Sequence, residues 1–152
     1  MQSGIVRSLA VVAVWLLTSK VQATDLTVQL NGIDGSRGGY VHAAIYREAM
    51  PFETYDANGA FATVSRQLSP AISPKPVLIA FTLADLPQGE YAVHFYHDAN
   101  GNQQFDSSGS EPLEGWGFSN ARHLWQTPSF KRSAFTIGTE AKTVSLKTFY
   151  IE

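Results

Sequence analysis

Cysteine is absent from this chain of 152 residues, which excludes disulfides and thiolate metal sites as sources of stability. No basic block occurs either, and the formal net charge is −2, which argues against nucleic acid as a partner. The longest apolar run, residues 8–17, is shorter than the roughly 20 residues that a membrane-spanning helix needs. A stable fold must therefore come from an apolar core or from a bound metal.

The short apolar run lies in a segment typical of a secretory signal peptide. Arg7 places a positive charge before it, and Val21 and Ala23 supply small residues at the cleavage site. We predict cleavage after Ala23, so that residues 1–23 are the signal peptide and 24–152 a single domain without a transmembrane span. The alternative to cleavage is an uncleaved anchor. The signal peptide predicts export, and because cysteine is lacking we expect the bacterial periplasm or extracellular space rather than a eukaryotic one.

The rest of the chain contains stretches that alternate apolar and polar residues and are bounded by Gly, Pro or Asn. The predicted strands are residues 26–30, 40–46, 64–68, 77–83, 90–97, 134–137 and 143–150. No stretch holds a convincing helical period, so crossover helices are not expected. Seven such strands predict an all-β fold, an antiparallel seven-stranded sandwich, with a closed barrel as the alternative.

The turn before the fifth predicted strand is similar to the tyrosine corner of Greek-key sandwiches. Pro87 fixes one dihedral angle, Gly89 supplies conformational freedom, and Tyr91 enters the strand. We expect Tyr91 to bury its ring and to bond its hydroxyl back to the turn. The alternative is an ordinary tyrosine at a strand entry.

Oxygen-bearing side chains recur at alternate positions after the fifth strand, a spacing that favours a calcium loop. Calcium takes six to eight oxygen ligands from carboxylates, amides and carbonyls. The predicted ligands, in which Gln104 contributes its backbone carbonyl, are Asp98, Asn100, Asn102, Gln104, Asp106, Glu111 and Glu114. Either of the two glutamates could supply the closing carboxylate.

This loop departs from the EF-hand pattern at two positions. The sixth position is Gln103 where an EF-hand has Gly, and the twelfth is Gly109 where an EF-hand has Glu. The alternative interpretation is an Asn-Gly turn whose Asp and Asn side chains cap their own backbone. The two interpretations stay open, and calcium is the cofactor that the first one implies.

Residue parity predicts a group of His and Tyr side chains on one face of two strands. If residues 91, 93 and 95 face the core, as 41, 43 and 45 do, the residues between them face outward. With two aromatic residues from the long 98–129 segment, the expected ligand or partner surface comprises His42, Tyr46, His94, Tyr96, Trp116 and Phe118. The alternative is that the 98–129 segment covers this face. The same parity separates His94 from His97 and argues against a zinc pair.

Four motifs in order carry a resemblance to a known family. They are Leu86-Pro-x-Gly89-x-Tyr91, His97-Asp98-x-Asn100-x-Asn102-x-x-x-Asp106, Glu114-Gly-Trp-Gly117-Phe118-Ser119-Asn120 and Pro128-Ser-Phe130. The chain resembles the bacterial exported family catalogued as domain of unknown function 2141, from about Leu26 to Tyr150. The resemblance implies a small sandwich of the immunoglobulin-like or transthyretin-like kind and carries no established activity.

Two functional hypotheses follow. The first is a non-enzymatic binding module in which calcium stabilises the loop at 98–114. The second is a small-ligand carrier or enzyme that uses the His/Tyr face. No G-x-S-x-G elbow or other catalytic motif occurs, so no catalytic residue is predicted and enzymatic activity is the less favoured reading.

Overall fold

The structure is a computed structural model that describes residues 23–69 and 76–151. The predicted signal peptide, apart from Ala23, lies outside these residues. Within them, no helix has the length and apolar character needed to cross a membrane.

Ten strands form in the described part of the chain. They are β1 (Thr24–Asp34), β2 (Tyr40–Tyr46), β3 (Ala62–Gln67), β4 (Pro76–Leu86), β5 (Gly89–Asp98), β6 (Ser107–Ser108), β7 (Glu111–Pro112), β8 (Gly115–Phe118), β9 (Phe135–Ile137) and β10 (Lys142–Lys147). Two short α-helices accompany them, α1 (Ala49–Glu53) and α2 (Phe130–Ser133), together with 3₁₀ turns at Gly35–Arg37 and Ala57–Gly59. The all-β prediction is confirmed and each of the seven predicted strands is present, while β6, β7, β8 and both helices were not predicted.

The two main sheets differ in strand direction. The first has the order β10-β1-β4, in which β1 runs antiparallel to β4 and parallel to β10. The second has the order β3-β2-β5-β8 and is antiparallel, with β9 pairing along the first residues of β5. The prediction of a wholly antiparallel arrangement is therefore wrong for the β1–β10 pair. Alternation of side chains gives each strand its buried face but does not reveal the direction of its neighbour.

Both main sheets contribute to one hydrophobic cluster. Leu26, Val28 and Leu30 of β1 are fully buried, and Val93 and Phe95 of β5 join the same cluster. The alternation predicted from the sequence is confirmed here, since residues 26, 28 and 30 of β1 and residues 91, 93 and 95 of β5 are all buried in this cluster. The remaining residues of β2 and β5 face the opposite side, which we call the outer face.

The tyrosine corner is present. The Tyr91 ring is fully buried, and its hydroxyl donates to the Pro87 carbonyl oxygen at 2.7 Å. This bond ties the start of β5 to the preceding turn, as the sequence predicts.

One end of the outer face is covered by a second, smaller cluster. Phe52 of α1 packs edge-on against Tyr46 and Phe118, with ring centroids 5.7 and 6.5 Å away, and Phe130 of α2 joins it. Tyr46 and Phe118 are only 1% and 2% exposed. Tyr46 and Phe118 are therefore not on an open surface, because two short helices that the sequence pattern did not predict shield them.

Candidate functional site

Beyond this cluster, the outer face holds a cavity of about 500 Å³. Its sheet side is lined by the four residues that parity predicts there: His42, Tyr46, His94 and Tyr96. Tyr55, from the segment after α1, forms one of its walls. The structure therefore brings the predicted His/Tyr residues together around one concave space, rather than on an open surface.

The predicted calcium loop forms another wall of the same cavity. Gln103 and Phe105 line it, and the Phe105 ring lies 5.8 Å from that of Tyr96, centroid to centroid. The loop and the His/Tyr face, predicted as separate sites, thus adjoin.

His94 lies between the sheet and Tyr55, whose ring centroid is 4.7 Å from that of the imidazole. The residue is 7% exposed. Burial lowers the pKa of His94 to about 4, because the cation would lose its water without gaining a counter-charge. At neutral pH His94 therefore presents an uncharged imidazole to the cavity.

His42 sits in a hydrogen-bonded chain with a serine and an aspartate. Its Nδ1 lies 2.7 Å from the Ser65 hydroxyl, and its Nε2 lies 3.2 Å from Oδ2 of Asp98. An ionised carboxylate only accepts hydrogen bonds, so Nε2 donates to Asp98, and in the neutral imidazole Nδ1 then accepts from the Ser65 hydroxyl. Tyr40 and Tyr96 flank the imidazole, with ring centroids 5.9 and 5.0 Å away.

Asp98 is fully buried at the end of β5. Its Oδ1 accepts from the amides of Gly101 and Asn102 at 2.7 and 3.1 Å, and its Oδ2 accepts from the Gln103 amide at 2.8 Å. Burial by itself raises the pKa of this carboxyl, but these N–H donors and His42 outweigh it and hold the pKa below its ordinary value. Asp98 is therefore ionised at neutral pH and fixed in position.

The other predicted calcium ligands also bond within the loop. Asn100 and Asn102 donate their side-chain amides to Asp106 at 2.6 and 3.0 Å, and the Gln104 amide donates to Oδ1 of Asn102 at 2.8 Å. This is the self-capping turn that the sequence offered as the alternative. Among the residues that the structure describes, no three His, Asp or Glu side chains are arranged to hold a metal ion. Calcium binding stays a prediction.

Of the two candidate closing carboxylates, Glu114 is the one that contacts the loop. Its two oxygens accept from the amides of Ala99 and Asp106 at 3.0 and 3.2 Å, and the residue is 4% exposed. Burial raises the pKa of Glu114, and the charges of Asp106 and Asp98 raise it further against the effect of the two amides. Glu111 is exposed on the β6–β7 hairpin.

Trp116 lines a second cavity, which has a volume of about 370 Å³. The two cavities share Tyr55, His94 and Phe105, so they adjoin. Trp125, 70% exposed, also lines the second cavity. Of the six residues predicted for a ligand surface, Phe118 alone lines neither cavity.

The glycines on either side of Trp116 have a packing role that the sequence did not show. Gly115 and Gly117 lie in strand β8, not in a turn. A Cβ on Gly117 would collide with the Lys147 carbonyl and come within 2.6 Å of the Phe95 ring, and one on Gly115 would collide with the Tyr150 ring. Close packing therefore accounts for these glycines.

His97 is a second buried histidine that plays no part in the cavity. Its Nε2 donates to the Gly38 carbonyl at 2.7 Å, and its Nδ1 accepts from the Tyr150 hydroxyl at 2.8 Å. The Tyr150 hydroxyl in turn accepts from the Asp34 amide at 2.9 Å. This network joins β1, β5 and the segment after β10, and it occupies both ring nitrogens of His97.

With this geometry established, the comparisons with known proteins add a family. The model of a family described as "uncharacterized protein conserved in bacteria (DUF2141)" matches residues 28–145. The chain belongs to this family. The match includes the loop, His42 with its neighbours and the cavity walls described above, so the site lies within the DUF2141 domain itself. No curated protein and no solved structure matches this DUF2141 chain.

Proposed function

We propose that this protein is an exported binding module whose cavity on the outer face takes an uncharged small molecule. The observation that carries the proposal is the convergence of His42, Tyr46, His94 and Tyr96 on one cavity. Ligand sites are typically concave, of about 300–1,000 Å³, and lined by apolar and aromatic groups with a few polar ones. The cavity has this size and this lining.

The chemistry of the walls selects for an uncharged ligand. No Asp, Glu, Lys or Arg is among the described residues that line either cavity. His94 is neutral, and the negative charge of Asp98 is taken up by His42 and three amides. A charged ligand would lose hydration here without gaining an opposite charge. Hydroxyl groups such as those of Thr63 and Ser65 provide hydrogen bonds that orient a neutral molecule.

The architecture we propose is a two-layer sandwich of the immunoglobulin-like or transthyretin-like kind. The single cluster to which both main sheets contribute supports two packed layers. Export rests on the signal-like segment at residues 1–23 of the sequence.

A blocked cavity tests the ligand proposal. Thr63 is exposed on β3 and lines the cavity, so Thr63→Trp fills it without touching the core. Thr143→Trp makes the same change at an exposed position of β10, on the other sheet. The assay is ligand-observed NMR with a library of uncharged and charged small molecules. Uncharged molecules should bind to the parent and to Thr143→Trp, but not to Thr63→Trp. An absence of uncharged binders, or equal binding by Thr63→Trp, would reject the proposal.

Calcium binding by the loop is a second proposal. It is supported by the oxygen spacing and by the φ of Gln103, +62°, which is the conformation that glycine supplies at the sixth place of an EF-hand. Burial is the main reason why the pKa of Glu114 is raised, but the charges of Asp106 and Asp98 raise it too, so a cation close to these carboxylates would be favourable.

The Asp-Ala-Asn-Gly tetrapeptide occurs twice and provides a matched control for calcium. Asp98 and Asp56 begin the two copies, and Asp56 also caps its turn, by accepting from the Asn58 amide at 3.0 Å. Calcium at 100 times its dissociation constant should stabilise the parent and Asp56→Ala proteins by about 2.7 kcal/mol, measured by urea unfolding with and without chelator. Asp98→Ala should lose that increment. Calcium-independent unfolding of the parent protein would reject the idea.

A further inference from the structure

The side chains of Ser65, His42 and Asp98 are hydrogen-bonded in series, and they supply the three groups of a hydrolytic triad: a nucleophile, a base and an orienting acid. Such sites are recognised by geometry and not by their order in sequence. In β2 and β3, His42 lies directly opposite Ser65, so the side chains share the outer face. Asp98 reaches His42 from the end of β5.

The hydrogen-bond partners of the neutral imidazole favour the tautomer that general base catalysis needs. Asp98 holds the proton on Nε2, which leaves the Nδ1 lone pair towards the Ser65 hydroxyl at 2.7 Å. In the familiar serine hydrolases the two nitrogens have the opposite assignments, but either nitrogen can act as the base. Three backbone amides fix Asp98, and the rings of Tyr40 and Tyr96 flank His42, so the arrangement is rigid.

Ser65 is also accessible to a substrate. It is exposed and lines the cavity, as does Gln103, whose side-chain amide could donate to a carbonyl oxygen. The cavity is uncharged and aromatic, which suits the acyl group of a neutral ester.

We infer that Ser65 is a nucleophile, activated by His42, that hydrolyses uncharged esters bound in this cavity. The inference rests on the proposed ligand cavity and adds a reaction to it. The Ser65 oxygen bonds to the ester carbonyl carbon while its proton passes to Nδ1 of His42. Collapse of the tetrahedral adduct breaks the bond to the alcohol, which leaves with that proton. Water, deprotonated by the same nitrogen, then releases the acid and restores Ser65.

The decisive test is covalent labelling of the folded protein by an alkyl fluorophosphonate, mapped by mass spectrometry. The reagent should label Ser65 at least about 100-fold faster than Ser145, an exposed serine of β10 that has no histidine partner. Ser65→Ala should abolish labelling at that place, and His42→Gln should lower it about 100-fold. Hydrolysis of p-nitrophenyl butyrate should fall in parallel, whereas Ser145→Ala should leave it unchanged.

Asp98 is a positioning residue in this scheme, and its role has a spectroscopic signature. The ¹⁵N shifts of the His42 ring should show the proton on Nε2, and Asp98→Asn should move it towards Nδ1. Labelling of Ser65 no faster than of Ser145, or unaffected by His42→Gln, would overturn the inference. If uncharged ligands still bind in the Thr63→Trp-sensitive manner, the cavity proposal survives that result. If they do not bind either, both proposals fail.

Discussion

Replacing His94 with phenylalanine should remove a large part of the acid sensitivity of this protein. The imidazole is buried beside Tyr55 and bears no positive charge when the protein is folded. On unfolding it returns to water, where it takes up a proton readily below about pH 6.5. Phenylalanine keeps an aromatic ring in the same place but cannot take up that proton.

The size of the effect follows from the two pKa values of His94. Burial lowers the pKa in the folded state to about 4, from an ordinary value of 6.5. Between these values the unfolded chain binds more protons than the folded one, so the free energy of unfolding falls as the pH falls. With about 1.4 kcal/mol per unit of pKa difference, the loss is about 2 kcal/mol between pH 8 and pH 5.

The assay is urea unfolding at pH 8 and pH 5 for the parent protein and for His94→Phe. Both proteins retain the other acid-sensitive groups, His97, Asp98 and Glu114, so their contributions cancel in the comparison. The parent should lose about 2 kcal/mol more than the variant over this interval. His123→Phe, at an exposed histidine, serves as the control. Equal losses in the parent and His94→Phe would refute the assignment of a buried neutral His94.

Three further predictions concern a close-packed glycine, a hydrogen bond and a left-handed turn residue. Gly117→Ala should lower the free energy of unfolding by about 1–3 kcal/mol because its Cβ has no room, whereas Gly138→Ala, in open space, should be neutral or slightly stabilising; chemical unfolding distinguishes them. Tyr91→Phe removes the bond to the Pro87 carbonyl and should cost about 1 kcal/mol in the same assay, and an unchanged value would mean that the tyrosine corner contributes nothing. Gln103→Gly relieves a left-handed conformation and should raise the melting temperature by calorimetry; a lower one would contradict the strained turn.

The regular strands were predictable because their side chains alternate over long stretches. Residues 40–46 were predicted as a strand with the bounds that the structure gives, and inward-facing Val93 and Phe95 followed from parity alone. The helices were not predictable, because α1 and α2 have five and four residues and are too short to show a helical period. Consequently, the burial of Tyr46 and Phe118 was missed as well.

Most residues of the candidate site could be predicted from the sequence, but the contacts between them could not. Parity identified His42 and Tyr96, and spacing identified Asp98, but nothing local indicated that these belong to one neighbourhood. Ser65 was missed altogether, since its meaning depends on the register that sets it opposite His42. Register is decided by turn geometry and by packing across the whole sheet, so a single strand does not carry it.

The position of β1 in its sheet has a consequence for how the protein is made. β1 is the central strand, and one of its two neighbours, β10, is paired from Leu26 to Lys142 across most of the chain. Contacts so distant in sequence slow folding, because a long loop must close before they form. A nascent chain cannot complete this sheet until residues 142–147 have been synthesised. We therefore expect late folding, after synthesis, which suits the export proposed above.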